Sequence, residues 1–188
     1  MNLPSRFCPP AAYYRLLAIN PDEPVTICGA ERFDKRLKSA HRMTIADTRG
    51  PLDLTVPIAK PYGHTWASTA VSRHNDWFQL MWTAIESAYG RTPYFEFYAD
   101  DFRPLLIGVD DFGSVAELNF RFDCAIRRAL GLSNPVALSL TESHPMPIPE
   151  WQPQPYWQIR RDSLGFIPNL SILDLIFNLG PETNLLWR

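Results

Sequence analysis

The chain has 188 residues, of which 46% are hydrophobic and 20% are charged, and its formal net charge is -2. A chain of this length can bury the core of one domain, whereas two domains would be crowded. The weak negative charge excludes a general attraction to nucleic acid or to an anionic membrane surface, so recognition of a charged partner would need a local cluster of charges.

The first half of the chain mixes strand and helix signals. Residues 3–10 read as an extended segment, and a helix follows over residues 11–17 with Pro10 near its first turn. Alternating or β-branched residues predict strands over residues 25–28, 41–46, 52–58 and 65–71. Turn residues between the second and third strands predict a hairpin. Pro57 cannot donate to a strand ladder, so the third strand should end at an edge or a bulge.

Three helices are predicted from their caps as well as from their periodicity. The predicted segments are residues 77–88, 92–102 and 114–131. Asp76 stands at the N-cap position of the first, and Thr92 caps the second with Pro93 at its first helical position. Ser114 and Glu117 have the spacing of a capping box at the start of the third.

Composition changes after a last predicted strand at residues 135–140. Five prolines fall within residues 143–157, a density that no helix tolerates, so this segment is predicted to be an extended loop of polyproline character. Loops of this length are often functional, and this one could form a flap. Trp151, Tyr156 and Trp157 predict that it docks against the body of the protein.

The chain is organised around an apolar segment at residues 166–182. Ser171 and Asp174 have the spacing of a second capping box, and Gly180 with Pro181 ends the helix. Since the helix between them has almost no polar face, it should lie inside the fold. We therefore predict an α/β protein with a single domain over residues 1–188. It should contain a mixed sheet, an N-terminal α/β half with a hairpin, and a mostly helical second half.

A basic segment supplies candidate binding residues. Five Lys and Arg residues stand against one Asp in residues 32–42, in an otherwise weakly acidic chain. Guanidinium and ammonium groups bind phosphate or carboxylate, so an anionic small molecule is the expected partner. The candidates are Arg32, Lys35, Arg36 and Arg42. The alternative is a solvated loop and strand face, which a charge run alone does not exclude.

Two histidines and two amides complete the predicted site. His74 precedes a helix N-terminus and could act as a general base or contact an anion, or it could simply bond to backbone. His41 stands beside Arg42 on the basic strand and is the second candidate base. Gln158 and Asn169 would orient the acceptor. This hypothesis requires Arg42 and His74 to share one hollow.

Other functional classes lack their signatures. No glycine-rich phosphate loop or nucleophile elbow occurs, the four histidines and three cysteines lack metal-site spacing, and the sequence indicates no particular cofactor. No apolar run approaches the ~18 residues of a membrane span, and the first ten residues lack the apolar core of a signal peptide. We expect a cytoplasmic protein with reduced cysteines. A nucleic-acid partner is not expected, and oligomeric state stays open.

Several segments, in order along nearly the whole chain, resemble the WbqC-like protein family of bacteria. The matching segments are Cys8-Pro-Pro-Ala-Ala-Tyr-Tyr14, residues 31–42, Leu54-Thr-Val-Pro-Ile58, residues 75–77, 88–95 and 154–156, Gly165-Phe-Ile-Pro-Asn-Leu-Ser-Ile-Leu-Asp174 and residues 178–181. The resemblance implies a single α/β domain. It also implies a place in O-antigen or other surface-polysaccharide biosynthesis, where transfer of glycine has been suggested.

Two functional hypotheses follow from the residues and the resemblance together. The first is a transferase that attaches an aminoacyl group such as glycine to a sugar intermediate, with a nucleotide sugar, phosphate or carboxylate held by the basic segment. The second is a non-catalytic protein that binds an acidic metabolite or a partner in the same pathway.

Overall fold

A small parallel sheet lies at the N-terminal side of the fold. The computed structural model describes residues 1–187. The three strands are β1 (Asn2–Pro4), β2 (Val25–Cys28) and β5 (Val136–Ser139), in the order β1-β2-β5. Leu3 pairs with Ile27, which pairs in turn with Leu138 on the other edge. Because Leu3 and Ile27 are buried, the central strand places its apolar side chains in the core.

The predicted hairpin is confirmed, although its second strand is shorter than expected. Strands β3 (Arg42–Asp47) and β4 (Gly50–Thr55) pair antiparallel. The chain leaves the ladder after Thr55, and Ile58 instead forms an isolated bridge with Val71. Pro57, which cannot donate to a ladder, therefore lies outside the strand.

Helices dominate the second half. The α-helices are α1 (Ala11–Ala18), α2 (Trp77–Tyr89), α3 (Phe95–Phe102), α4 (Val115–Ala129), α5 (Arg161–Leu164) and α6 (Ile172–Leu179). Short 3-10 turns cover Lys38–Ala40, His74–Asp76, Arg103–Leu105 and Gly180–Trp187. The α/β class with a hairpin and a mostly helical second half is confirmed. The parallel and antiparallel pairings, predicted together in a mixed sheet, lie in two separate sheets.

One predicted strand and two predicted caps are wrong. Residues 65–71 form turns with isolated bridges, because the Thr69 hydroxyl donates to the Thr65 carbonyl and folds the segment back. Asp76 has a left-handed backbone and makes no side-chain cap for α2. The Thr92 hydroxyl donates to the Tyr89 carbonyl at the end of α2, so it does not cap α3.

The two predicted capping boxes have different outcomes. In α4 the Ser114 hydroxyl accepts from the Glu117 amide at 3.2 Å, and the Glu117 carboxylate accepts from the Ser114 amide at 2.8 Å. In α6 the Ser171 hydroxyl accepts from the amide of Leu173, but the Asp174 carboxylate does not return the contact. Asp174 instead faces the interior, where other polar side chains bind it.

Helix α6 lies at the centre of the core, as its apolar sequence predicts. Every residue from Ile172 to Asn178 is buried. The Phe177 ring contacts the rings of Tyr89, Phe95 and Phe102, with centroid distances of 5.4, 5.1 and 5.8 Å. The buried cluster runs from Leu3 to Trp187, which supports the single-domain interpretation, although that interpretation stays a prediction.

Candidate functional site

A cavity of about 690 Å³ lies between the start of α1 and the proline-rich segment. Its walls combine prolines and aromatic rings with polar side chains. The lining residues are Arg6, Pro9, Pro10, Ala12, Tyr13, Ser39, Ile148, Pro149, Glu150, Trp151, Gln152 and Asn169. This volume lies within the range of small-molecule pockets.

A second cavity of about 270 Å³ continues the first one towards the hairpin. The two share Pro9, Pro10, Ser39 and Asn169. The second cavity adds Cys8, Lys38, Arg42, Met43, Thr44, Asp53 and Ser171. We call the two together the proline cleft.

Backbone hydrogen bonds hold the floor of the proline cleft together. The amide of Ile172 donates to the Pro9 carbonyl at 3.1 Å, and the amide of Ser171 donates to the Thr44 carbonyl at 2.7 Å. Pro10 also forms an isolated bridge with Ser171. The start of α1, the hairpin and the start of α6 are therefore fixed to one another around the cleft.

Two lining residues have a left-handed backbone that side chains rarely adopt. Cys8 has φ 44° and Asn169 has φ 57°. Such conformations cost free energy and occur often at functional sites, where the surrounding structure maintains them. Burial raises the pKa of the Cys8 thiol well above its ordinary value, and the nearby charge of Asp123 raises it further. This thiol therefore stays protonated at neutral pH and is a poor nucleophile.

Three cationic side chains line the proline cleft, and they differ in how they are paired. Arg6 donates to both oxygens of Glu31, at 2.6 and 3.1 Å. Arg42 donates to Asp53 at 2.8 Å and to the Thr55 hydroxyl at 2.8 Å. Lys38 forms no salt bridge within residues 1–187, so its charge is the one most available to an anionic ligand.

The proline-rich segment forms one wall of the cleft and has no regular secondary structure, as predicted. Trp151 lies against the body, with the Arg15 guanidinium 5.1 Å from its ring centroid and the Trp187 ring 6.1 Å away. Tyr156 is buried, whereas Trp157 remains 47% exposed. Docking is therefore confirmed for Trp151 and Tyr156 but not for Trp157.

A buried polar network ties the proline-rich segment to α6. The Tyr156 hydroxyl donates to Asp174 Oδ2 at 2.5 Å, and Gln158 Nε2 donates to the same oxygen at 3.0 Å. Burial raises the pKa of Asp174, while hydrogen bonds from Tyr156 and Gln158 act in the opposite direction. The carboxylate that the sequence assigns to a cap is thus an interior anchor for this segment.

Replacing Tyr156 by phenylalanine is expected to lower the free energy of unfolding by about 1–3 kcal/mol, because a buried carboxylate oxygen loses a hydrogen-bond donor. Urea denaturation measures this change. Tyr94→Phe is the control, since the Tyr94 hydroxyl makes no hydrogen bond within residues 1–187 and its loss should change stability little. Equal losses in the two variants would contradict the anchoring role of Tyr156.

The structure does not bring the two predicted catalytic histidines into the proline cleft. His41 is buried, its Nδ1 lies 3.0 Å from the Val56 carbonyl, and its ring stacks on Trp66. Burial lowers the pKa of His41, so the neutral imidazole is favoured. His74 is exposed and lines a different cavity, beside Lys60 and Arg73. Arg42 and His74 therefore do not share one hollow.

Of the other predicted site residues, some line the proline cleft and others do not. Arg42 and Asn169 line the proline cleft. Arg32, Lys35 and Arg36 are exposed on the loop before β3 and do not line it. A role for these three in binding stays a prediction.

Gln158 lies in the interior. Its Nε2 donates to the Ile167 carbonyl at 2.9 Å as well as to Asp174, and its Oε1 accepts from the Ile167 amide at 2.9 Å. These protein partners occupy the amide that was expected to orient an acceptor.

Sequence reasoning missed Arg6, Lys38 and Trp151 as cleft residues. Lys38 belongs to the basic run, but the sequence did not separate it from the neighbours that do not line the cleft. Trp151 was expected to dock without a functional role. Arg6 stands outside the run and carried no signal.

Neither a cluster of metal-ligating side chains nor a membrane-spanning helix occurs in the described part of the chain. Within residues 1–187, no three His, Cys, Asp or Glu side chains come close enough together to hold a metal ion. Over the same residues, no helix combines the length and the apolar character needed to cross a membrane.

Comparison with known proteins gave one match. A family model described as the WbqC-like protein family matches residues 5–146 of the 188. No curated protein and no solved structure matches the chain. The matched residues include Arg6, Lys38 and Arg42 of the proline cleft, whereas Trp151 and Asn169 lie beyond them.

Proposed function

We propose that this chain, which belongs to the WbqC-like protein family, is a cytoplasmic transferase of surface-polysaccharide biosynthesis of the O-antigen type. The proposal is that it binds a phosphate-bearing sugar intermediate in the proline cleft and transfers an aminoacyl group such as glycyl to it. The observation that carries this proposal is the cleft itself. It combines a lysine that forms no salt bridge within residues 1–187, two arginines and an aromatic wall around about 690 Å³ of space and its 270 Å³ extension.

The side chains that line the proline cleft suit both the phosphate group and the sugar of such a ligand. Lys38 and the side of Arg42 not occupied by Asp53 and Thr55 can bind a phosphate or carboxylate group. Trp151 presents apolar surface, while Ser39 and Asn169 present hydrogen-bonding groups. Apolar walls with a few convergent polar groups are typical of small-molecule sites.

Acyl transfer to a sugar sets two chemical requirements. The acceptor amine or hydroxyl attacks the acyl carbonyl, loses its proton to a base, and the bond to the donor's leaving group breaks. Negative charge builds on the attacked carbonyl oxygen before the leaving group departs, and a nearby cation stabilises it. The cations of the proline cleft can supply that charge, and Glu150 is a carboxylate on the wall of the larger cavity that could accept the proton.

One observation favours the second candidate function, a non-catalytic protein that binds an acidic metabolite of the same pathway. Neither His41 nor His74, the two bases expected from sequence, lines the proline cleft. Anion binding needs only the cations and the shape of the cleft, so it does not depend on a base.

Isothermal titration with UDP-N-acetylglucosamine as the probe tests ligand binding. We expect Lys38→Gln combined with Arg42→Gln to weaken binding at least about tenfold, since each charged hydrogen bond contributes about 1.5–3 kcal/mol. The matched control is Arg32→Gln combined with Arg36→Gln, which removes the same charge from the exposed part of the basic segment, outside the cleft. Circular dichroism verifies that both variants fold.

Three results decide between the proposals. If only the control double variant loses binding, the exposed basic loop is the anion site and the assignment to the cleft is wrong. If UDP-N-acetylglucosamine and inorganic phosphate both fail to bind the unaltered protein, the assignment of a phosphate-bearing ligand to the cleft is wrong. If binding persists in Glu150→Gln while mass spectrometry detects aminoacylated sugar only with the unaltered protein, the transferase is supported over the binding protein.

A further inference from the structure

A third cavity, outside the proline cleft, lies where the chain leaves the hairpin and approaches α2. Its volume is about 430 Å³, and residues 58–60 and 71–74 form its walls. It shares no lining residue with the proline cleft. Its lining is therefore distinct from that of the proposed transferase site.

The walls of this cavity are held together by backbone pairing. The Ala59 amide donates to the Ala70 carbonyl at 2.9 Å, and the Ser72 amide donates to the Pro57 carbonyl at 2.8 Å. Beyond the paired section, the His74 amide donates to the Ser72 hydroxyl at 3.3 Å. These bonds fix the relative position of the two segments that present the side chains of the cavity.

The charged and titratable side chains lining this cavity are Lys60, Arg73 and His74, and no Asp or Glu lines it. Within the described residues, none of the three forms an ion pair. Asp76, the nearest acidic residue along the chain, lies at the start of α2 and does not line the cavity.

A fourth cation adds to the positive potential beside this cavity. The ammonium groups of Lys35 and Lys60 both lie near the Tyr62 ring, at 4.5 and 6.0 Å from its centroid. Cations gathered without a carboxylate repel one another, and a bound anion would relieve that repulsion.

We infer that this cavity is a second anion-binding site, and that its ligand is a phosphate-class dianion. Lys60 lies on one of the two segments that line the cavity and Arg73 and His74 lie on the other, so a compact group with several acceptor oxygens can bind both cations while His74 donates a further hydrogen bond. The volume admits a phosphate together with part of the molecule that carries it.

Nuclear magnetic resonance of the histidine side chains during titration with inorganic phosphate tests this site. His74→Gln identifies the His74 signal among the four histidines. Phosphate is expected to shift that signal saturably, while sodium chloride at equal ionic strength leaves it in place. Lys60→Gln combined with Arg73→Gln should raise the phosphate dissociation constant, measured from the shift of the His74 signal, at least about tenfold.

Two further variants separate this inference from the proposed function. Arg91→Gln combined with Arg103→Gln removes two exposed charges outside both cavities. It should leave the phosphate binding curve measured at the His74 signal unchanged. The Lys38 and Arg42 double variant should also leave it unchanged, even if it abolishes binding in the cleft. A non-saturable shift, an equal shift with chloride, or an unchanged titration in the Lys60 and Arg73 variant would each overturn the second site.

Discussion

Replacing Phe177 by alanine is expected to lower the free energy of unfolding by about 3–5 kcal/mol. The ring is fully buried in α6 and contacts the rings of Tyr89, Phe95 and Phe102, which come from two other helices. Its removal leaves a cavity that these rings cannot all fill, so the loss includes both the buried surface and the empty space. Urea denaturation measures this loss, and the dependence of the unfolding free energy on urea concentration should be the same in both proteins.

Phe97→Ala is the matched control for Phe177→Ala. Phe97 lies on α3 between Phe95 and Phe102, but its side chain is 74% exposed. The same chemical change should therefore alter stability by no more than about 0.5 kcal/mol. If the Phe177 variant were as stable as the Phe97 variant, α6 would not be the centre of the core.

The second large effect is expected at Arg127, where methionine should lower the free energy of unfolding by about 3–5 kcal/mol at pH 7. Arg127 and Asp123 are both almost fully buried in α4, with Arg127 Nε 3.8 Å from Asp123 Oδ2. The Tyr14 hydroxyl donates to Asp123 Oδ1 at 3.1 Å, and Arg127 also donates to the Asn134 carbonyl. Without Arg127, a buried carboxylate loses its counter-charge.

The loss of stability caused by Arg127→Met should increase as pH rises. Burial raises the pKa of Asp123 to about 6, against the opposing effect of Arg127. A carboxyl group whose folded pKa is raised favours the folded state most when it is protonated, so its contribution to stability falls as pH rises from its unfolded pKa towards about 6. The Arg127→Met loss should therefore be smaller near pH 4, where Asp123 is protonated in both proteins, and should exceed that value by up to about 1.4 kcal/mol at pH 7, one unit above the pKa of Asp123.

Denaturation of both proteins at several pH values measures the effect, and the next residue supplies the control. Arg128 has a 72% exposed side chain and pairs with Asp101 at 3.4 Å, an arrangement that contributes at most about 1 kcal/mol. Arg128→Met should accordingly have little effect at any pH. A loss for Arg127→Met that is equal at pH 4 and pH 7 would mean that its hydrogen bond and packing, rather than the charge of Asp123, are responsible.

The secondary structure was largely predictable because its signals are local. Ser114 and Glu117 are three residues apart and satisfy each other's backbone groups without help from the rest of the chain. The apolar run of α6 likewise required burial, whatever surrounded it. The failures occur where distant contacts compete with local ones. Asp174 has the spacing of a cap, but Tyr156 and Gln158 bind its carboxylate instead.

The candidate site was less predictable, since a site depends on which segments meet. The basic run identified a charged segment, but Lys38 and Arg42 line the proline cleft while Arg32, Lys35 and Arg36 do not. His74 has a basic environment, but that environment consists of Lys60 and Arg73 rather than Arg42. Charge composition carries no information about which loop side chains share a cavity.

The sequence by itself determined the α/β class, the hairpin, the buried position of α6 and the extended character of the proline-rich segment. These features follow from periodicity, capping and proline geometry, which act over a few residues. Only the tertiary structure decided that the starts of α1 and α6 meet at the hairpin, and that two separate basic cavities exist. The backbone bonds from Ile172 to Pro9 and from Ser171 to Thr44 join residues far apart in the chain, and no local pattern encodes such contacts.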